Sequence, residues 1–390
     1  MRSTTESVQK RGARIRRVAG WAGVAGLWLL ASACQGPDME VSAGEQLSGS
    51  GACADSTMSW IDPSEVDGVP GTDLQGEFEG RALLPGSTDS TRVGLQMSLY
   101  GPDRVRGSVY KGGLPGAEDH GERPPEWLGV EGKRVDGRLE LAPEEGYSLL
   151  YLDSHVTVLD EEKNYLGYLD RVYRESATLG LEPGEGVVPL FQGMESDLEN
   201  WQEGATMSES GLHSGAKTRR EFGDIRLHAE VWLSWMPCAS DQRRTNSGLY
   251  IQDRYEVQIM DSFGLEPMLN SSGSLYREVK PALNMSLPPL RWQTFDVWFH
   301  APTFNEEGEK AEPVRLSVWY NGVRVIDNEV LEGGTGRGGQ LEEVPLGPLL
   351  LQEHPGSVRF RNVWIKEDAG PAPDRFLLNG SLLRTSNESE

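Results

Sequence analysis

The chain has 390 residues, 60 of them acidic and 37 basic, for a formal net charge of −23. So acidic a surface repels phosphate backbones, and no basic stripe offsets it, which argues against nucleic acid as a partner. With 47 Gly, 23 Pro, short apolar runs and no long 3.6-residue periodicity beyond the N-terminus, the chain reads as all-β.

Arg2, Lys10, Arg11, Arg14, Arg16 and Arg17 form a basic region, and Val18 to Ala33 then carries no charge. The small residues Ala31-Ser32-Ala33 stand just before Cys34. This order predicts a lipoprotein signal peptide over 1–33 with Cys34 lipidated, the alternative being an ordinary signal peptide cut at Ala33. The expected location is the cell envelope, lipid-anchored at the outer membrane, in the periplasm or at the cell surface. Removing 1–33 would take away six basic residues and Glu6, a net +5, and leave about −28. In that oxidising setting Cys53 and Cys238 could pair, although sequence does not bring their Cα atoms together, and neither has the spacing of a zinc site.

Residues 34–70, rich in Gly, Ser, Asp and Glu, read as a flexible tether. From 71 to 182 the segments GEFEGRALL, RVGLQMSLYG, RVRGSVYKGG, GRLELAP and HVTVLD are short strands divided by turn signals, predicting a small β-barrel or sandwich. GLEPGEG, residues 180–186, marks a boundary, and a second β domain occupies 183–367. Within it IRLHAEVWLSW, residues 225–235, alternates apolar with polar side chains, the pattern of a half-buried strand. NSGLYIQ and RYEVQIMD are two further strands, and TFDVWFHA follows. In VRLSVWYNGVRVIDNEV, Asn321-Gly322 is a type I′ hairpin signal, because both turn positions need φ > 0. LGPLLLQEHPGSVRFRNVWIKE is expected to close the domain as another hairpin. So many antiparallel strands fit a two-sheet jelly roll. Residues 368–390 read as a disordered tail.

The second domain resembles the 3-keto-disaccharide hydrolase family. The likeness is carried by LFQG (190–193), NSGLYIQDRYEVQIMDSFG (246–264), GSLY (273–276), KPALNMSLPPLRWQTFDVWFHAPTF (280–304), NGVRVIDN (321–328) and GPLLLQEHPGSVRFRNVWI (347–365). It covers nearly all of 187–366 in family order. The resemblance implies a concanavalin-like jelly-roll β-sandwich that cleaves glycosides oxidised at C3, by hydrolysis or by elimination and hydration. QGEFEG and YKGGLPG in the first domain are similar to a β domain that often precedes this one.

A C3 ketone acidifies the C2 proton, so such a site needs a base near C2, a donor near the C3 oxygen and an acid for the leaving oxygen. Strand alternation places Tyr255, Val257 and Ile259 on one face and Arg254, Glu256, Gln258 and Met260 on the other. Asp261 has the wrong parity to join Glu256 unless the strand bulges. Glu256-Val-Gln258-Ile259-Met-Asp261 shares the spacing of the Glu-x-Asp-Ile-x-Glu motif of family-sixteen glycoside hydrolases, with Gln for Asp and Asp for Glu. By spacing alone Glu256 is as well a solvated strand carboxylate and Asp261 a turn former; the resemblance makes both catalytic candidates. His354, in LQEHPG, is a third, His being suited to base or ligand work near neutral pH. The sequence identifies no definite cofactor, and a divalent metal held by Glu256, Asp261 and His354 stays open because their separation gives no ligand-spacing signal. Asn246, Arg254, Gln258, Asn284, Arg359, Arg361 and Asn362 could hold sugar oxygens, and Tyr250 and Trp292 could stack on a pyranose. Each also has a structural reading, as turn former, surface pair or core aromatic. The expected partner is a carbohydrate, with the membrane reached through the lipid. A non-catalytic sugar-binding jelly roll is the alternative.

Overall fold

The computed structural model describes residues 57–371 and 383–386, apart from 67–68, 70, 102–103, 118–125, 136–137, 144–145, 337, 339–340, 355 and 368–369. The expected signal peptide, Cys34 and Cys53 lie outside the described residues. Cys238 is disulfide-bonded. Among the described residues no helix is long and apolar enough to cross a membrane.

The first domain is the barrel of the two architectures its strand pattern allows. Antiparallel strands follow one another in chain order: β1 (Gly76–Ala82), β2 (Thr91–Leu99), β3 (Arg104–Lys111), β4 (Glu126–Val135), β5 (Arg138–Leu141), β6 (Tyr147–Leu152), β7 (His155–Asp160) and β8 (Tyr165–Ser176). β8 returns to pair with β1, which closes the sheet and removes its edges. Gly80 and Gly167 sit on this seam, where an added Cβ would lie 2.1 Å from the Tyr168 carbonyl and 2.2 Å from the Arg81 carbonyl. No side chain fits so close an approach. Phe78, Leu95, Val109, Leu149 and Val158 point inward and fill the barrel.

The second domain is a sandwich of two sheets. Its elements are β9 (Val187–Phe191), β10 (Met207–Ser208), β11 (Gly211–His213), β12 (Lys217–Phe222), β13 (Ile225–Leu233), β14 (Asn246–Ile251), β15 (Tyr255–Met260), β16 (Trp292–His300), β17 (Thr303–Phe304), β18 (Lys310–Glu312), β19 (Val314–Tyr320), β20 (Val323–Leu331), β21 (Gly347–Leu351) and β22 (Val358–Glu367). The larger sheet runs β10-β11-β22-β13-β16-β19-β20, with β9 also on β22; the smaller runs β12-β21-β14-β15. Leu227, Ala229 and Val231 of β13, Phe295 and Val297 of β16, and Leu249, Val257 and Ile259 of the smaller sheet meet in the core between them. Each such fully buried aliphatic or aromatic side chain stabilises the fold by about 1.5–3 kcal/mol.

The Asn321-Gly322 turn forms as expected, with φ of 52° and 83° and Tyr320 opposite Val323. The expected closing hairpin does not: β21 belongs to the smaller sheet and β22 to the larger, so the QEHPG segment crosses between sheets.

Both ends of the expected domain layout are tied down further than composition indicates. In the 34–70 segment, Trp60 bridges to Trp235 through two backbone hydrogen bonds of 2.8 and 3.0 Å, with the rings 5.4 Å apart, and the Trp232 indole donates to the Ile61 carbonyl at 2.9 Å. Near the C-terminus β23 (Leu383–Ser386) pairs with Tyr173–Ser176 of β8. Those β8 residues extend past the stretch that β1 covers, 167–172, so β23 pairs beyond the closed seam.

The two domains share buried polar contacts. The Gln96 side chain donates to the Ser286 carbonyl, Ser108 donates to the Gly264 carbonyl at 3.1 Å, and Ser176 and Thr178 at the boundary bond Thr294 and Asp296 of β16.

Candidate active site

The β14–β15 hairpin is in uninterrupted register from Asn246 opposite Met260 to Ile251 opposite Tyr255. Alternation then sends Asn246, Gly248 and Tyr250, and opposite them Glu256, Gln258 and Met260, to the outer face of the smaller sheet. Sequence predicts a wet face here, but all six are buried. Segments outside the sheet cover it: the Glu256 amide donates to Thr335 Oγ1 at 2.7 Å, and a Cβ on Gly336 would lie 3.0 Å from Glu256 Oε2 and 2.9 Å from the Tyr276 ring.

The Glu256 carboxylate is the centre of this face. Tyr250 donates its hydroxyl to Oε2 at 2.6 Å. On the other side Oε1 lies over Gly248, where an added Cβ would stand 2.6 Å away, so the position of the carboxylate requires glycine beneath it. Sequence reasoning missed the residues that close the cup, Gly248, Thr335 and Gly336. The signal was the glycine-rich stretch after β20, since glycines cluster where backbone must approach closely.

Beside the carboxylate lies an amide cluster. Gln258 Nε2 donates to Gln242 Oε1 at 3.2 Å, and Asn246 Nδ2 donates to the same oxygen at 2.9 Å. These two candidates therefore share the face with Glu256 and Tyr250. His354 is half-buried in the crossing segment, which is stitched to β14: the Gln352 amide donates to the Gly248 carbonyl at 2.9 Å, and Ser247 donates to the Gln352 carbonyl at 2.7 Å. Arg254, at the hairpin's far end, donates to the carbonyls of Gln252 and Glu342, each at 2.6 Å, and so anchors the covering segment. Asn284 clamps a turn, donating to the carbonyls of Ser262 and Leu265 at 2.6 and 2.8 Å.

Asp261 is placed differently from the expectation. No bulge intervenes in β15, so its carboxylate does not swing round to join Glu256. Instead Arg244 Nη2 donates to Asp261 Oδ2 at 2.5 Å and Nε to the same oxygen at 3.0 Å, with each side chain 1% exposed. Arg244 also reaches the Leu99 carbonyl and Ser98 of the barrel, which places the pair at the domain junction. Nor do Glu256, Asp261 and His354 gather as ligands: among the described residues no group of three or more His, Cys, Asp or Glu is placed to hold a metal ion.

Trp292, Arg359, Arg361 and Asn362 lie on the larger sheet, on its outer face, across the core from Glu256. They cannot share a site with it. Arg361 covers the Trp292 ring with its guanidinium 4.0 Å from the centroid and donates to Glu230 Oε2 at 2.6 Å. Asn362 donates to Glu230 Oε1 and to the Leu181 carbonyl, both at 3.0 Å. Burial pushes Arg359 below the ordinary arginine range.

This second face holds a buried ionic network that sequence reasoning did not single out. His228 Nδ1 lies 2.5 Å from Asp296, and Thr178 of the boundary segment donates to the other Asp296 oxygen at 2.7 Å. Burial alone would depress His228, but the Asp296 carboxylate, helped by Glu230, outweighs it and lifts the imidazole from 6.5 to about 9. Burial pushes Glu230 up, yet hydrogen bonds from His228, Asn362, Arg361 and the Gly180 amide more than offset this and hold it at about 2. A raised His pKa contributes stability that is full below pH 6.5 and lost as pH rises through about 9. The lowered Glu230 contributes above pH 4.5, and that share is lost as pH falls through about 2. Unfolding free energy, measured by denaturant titration, should therefore decline between pH 6.5 and 9, and His228→Gln should flatten the decline. An unchanged slope in the variant would mean that another group titrates.

Residues 186–366 match the family model of the 3-keto-alpha-glucoside-1,2-lyase-like domain. The chain matches no curated protein. Among solved structures it is similar to three candidate glycosyl hydrolases of Parabacteroides distasonis. The first is 26% identical with a TM-score of 0.44, covering 50% of this chain and 90% of that one. The second is 18% identical with a TM-score of 0.35, covering 47% and 94%. The third is 16% identical with a TM-score of 0.33, covering 46% and 98%. The sandwich that carries Glu256 is the part of the chain that matches the 3-keto-alpha-glucoside-1,2-lyase-like family model.

Proposed function

We propose that this chain cleaves glycosidic bonds of sugars oxidised at C3, with Glu256 as the base at C2. One observation carries the reading: inside a domain of this family, a buried carboxylate on the outer face of the smaller sheet holds a hydrogen bond from Tyr250 at 2.6 Å. Glu256 takes the C2 proton, and the electron pair moves toward the C3 oxygen as an enolate. Collapse of the enolate forms the C1–C2 double bond and breaks the bond from C1 to the aglycone oxygen, which leaves with a proton. Tyr250 is the nearest hydroxyl donor to the base and the first choice for that proton. Addition of water across the double bond completes net hydrolysis; without it the reaction ends as an elimination. The amides of Asn246 and Gln258 are the adjacent groups suited to holding sugar hydroxyls. The lipid anchor at Cys34 and the cell-envelope location remain part of this proposal, on the order of basic region, apolar run and cysteine.

The test is incubation of the purified protein with a 3-keto-disaccharide and, separately, with its unoxidised parent, in deuterated buffer. Release of the 3-keto-monosaccharide from the first alone, with deuterium at C2, is the expected result. Cleavage with the C2 hydrogen retained would exclude the enolate. Binding without turnover would favour a non-catalytic sugar-binding module.

A further inference from the structure

A cavity of about 410 Å³ lies between the barrel and the sandwich, with Gln75, Arg171 and Tyr173 on one wall and Trp235, Leu290 and Arg291 on the other. It is separate from the Glu256 face, and nothing in the proposed reaction uses it. Its volume falls in the range of small-ligand sites, roughly 300–1,000 Å³.

Two arginines and two carboxylates line it, but they do not pair with each other. The carboxylates are Asp73 and Glu77. Both are matched by arginines outside the lining: Glu77 by Arg174, whose Nε lies 3.0 Å from Oε2, and Asp73 by Arg134. The two arginines of the lining have no such match. Arg171 donates to main-chain carbonyls, those of Gln75 at 2.8 Å and of Asp73. Arg291 stacks over the Tyr173 ring at 4.8 Å and makes no ion pair among the described residues. Burial depresses its pKa, and the Glu77 and Glu175 carboxylates offset this only in part, so an anion in direct contact would stabilise the charge. The walls also keep two buried N–H donors without an acceptor among the described residues, Gln75 Nε2 and Trp235 Nε1, against the general rule that buried donors are paired.

We infer that this cavity binds a sugar acid, a pyranose carrying a carboxylate, with Arg291 as the anion contact and the Tyr173 and Trp235 rings against the sugar. Arginines and carboxylates are equal in number in the lining, but the carboxylates are engaged by Arg174 and Arg134 while the two lining guanidiniums make no ion pair among the described residues. This favours an anion, and the flat aromatic and proline surfaces, Pro288 and Pro289 among them, select a ring rather than a bare ion. The choice of a sugar rests on the reading of the chain as a glycoside-cleaving protein.

Calorimetric titration of the full chain with glucuronate, glucose and inorganic phosphate tests it. Glucuronate should bind at least about tenfold more tightly than the other two, and Arg291→Met should weaken it about tenfold or more, as loss of a charge-assisted contact does. Tyr173→Leu, which keeps the charge, should also weaken it and serves if Arg291→Met does not fold. Glu256→Gln should leave glucuronate binding unchanged, and Arg291→Met should leave turnover of the 3-keto-disaccharide unchanged. No glucuronate binding, equal binding of glucose or phosphate, or full affinity in Arg291→Met would overturn the inference. Glucuronate binding in a protein that turns over no 3-keto-sugar would overturn the proposed function alone.

Discussion

Glu256→Gln is expected to lower kcat/KM for a 3-keto-disaccharide by about 10²–10⁴-fold, the usual range for losing a general base. Glutamine has nearly the shape of glutamate, and its amide oxygen can accept the Tyr250 hydroxyl bond now made at 2.6 Å. It can also sit over Gly248 as the carboxylate does. What it cannot do is take a proton from carbon. The substitution therefore separates chemistry from packing: turnover and C2 deuterium incorporation should fall together while the melting temperature stays within a few degrees. Activity close to that of the unaltered protein would remove Glu256 as the base and turn attention to His354 on the neighbouring crossing segment.

Asp261→Asn is expected to act on stability. It leaves Arg244, 1% exposed, without its counter-charge, and breaking a buried pair from one side costs about 3–5 kcal/mol. For a domain of this size each kcal/mol lowers the melting temperature by roughly 2–4 °C, so the drop should be plain in a thermal scan. Removing both partners, as Arg244→Met with Asp261→Leu, should recover much of the loss, because no charge is then stranded. At temperatures where Asp261→Asn is folded, its kcat should match that of the unaltered protein. Intact stability with lost kcat would restore Asp261 to the catalytic set.

Strand existence and strand parity were legible in the sequence. Alternation in RYEVQIMD sorts Val257 and Ile259 into the core and Glu256 and Gln258 onto the other face, and Asn321-Gly322 marks its hairpin, because both signals depend only on neighbours along the chain. The β14–β15 turn was less visible: Gln252 and Asp253 take φ of 54° and 57° without a glycine. The quoted blocks likewise carried the family, since order and spacing of residues survive without knowledge of contacts.

What lay beyond the sequence was which surfaces meet. Periodicity predicts a wet side for β13 and β15, yet both outer faces are covered, β15 by the segment around Thr335 and β13 by the boundary residues near Thr178. Candidate residues from neighbouring blocks were divided between opposite faces, Glu256 and Gln258 on one, Trp292 and Arg361 on the other, because the chain changes sheet between β15 and β16 and again between β21 and β22. Asp261 found Arg244, seventeen residues earlier in the chain, instead of Glu256. By itself the sequence determined the all-β architecture, the core-facing positions and the likeness of residues 186–366 to the family model. Only the tertiary structure decided which polar side chains converge, because burial and pairing of a charge depend on segments that arrive from elsewhere in the chain.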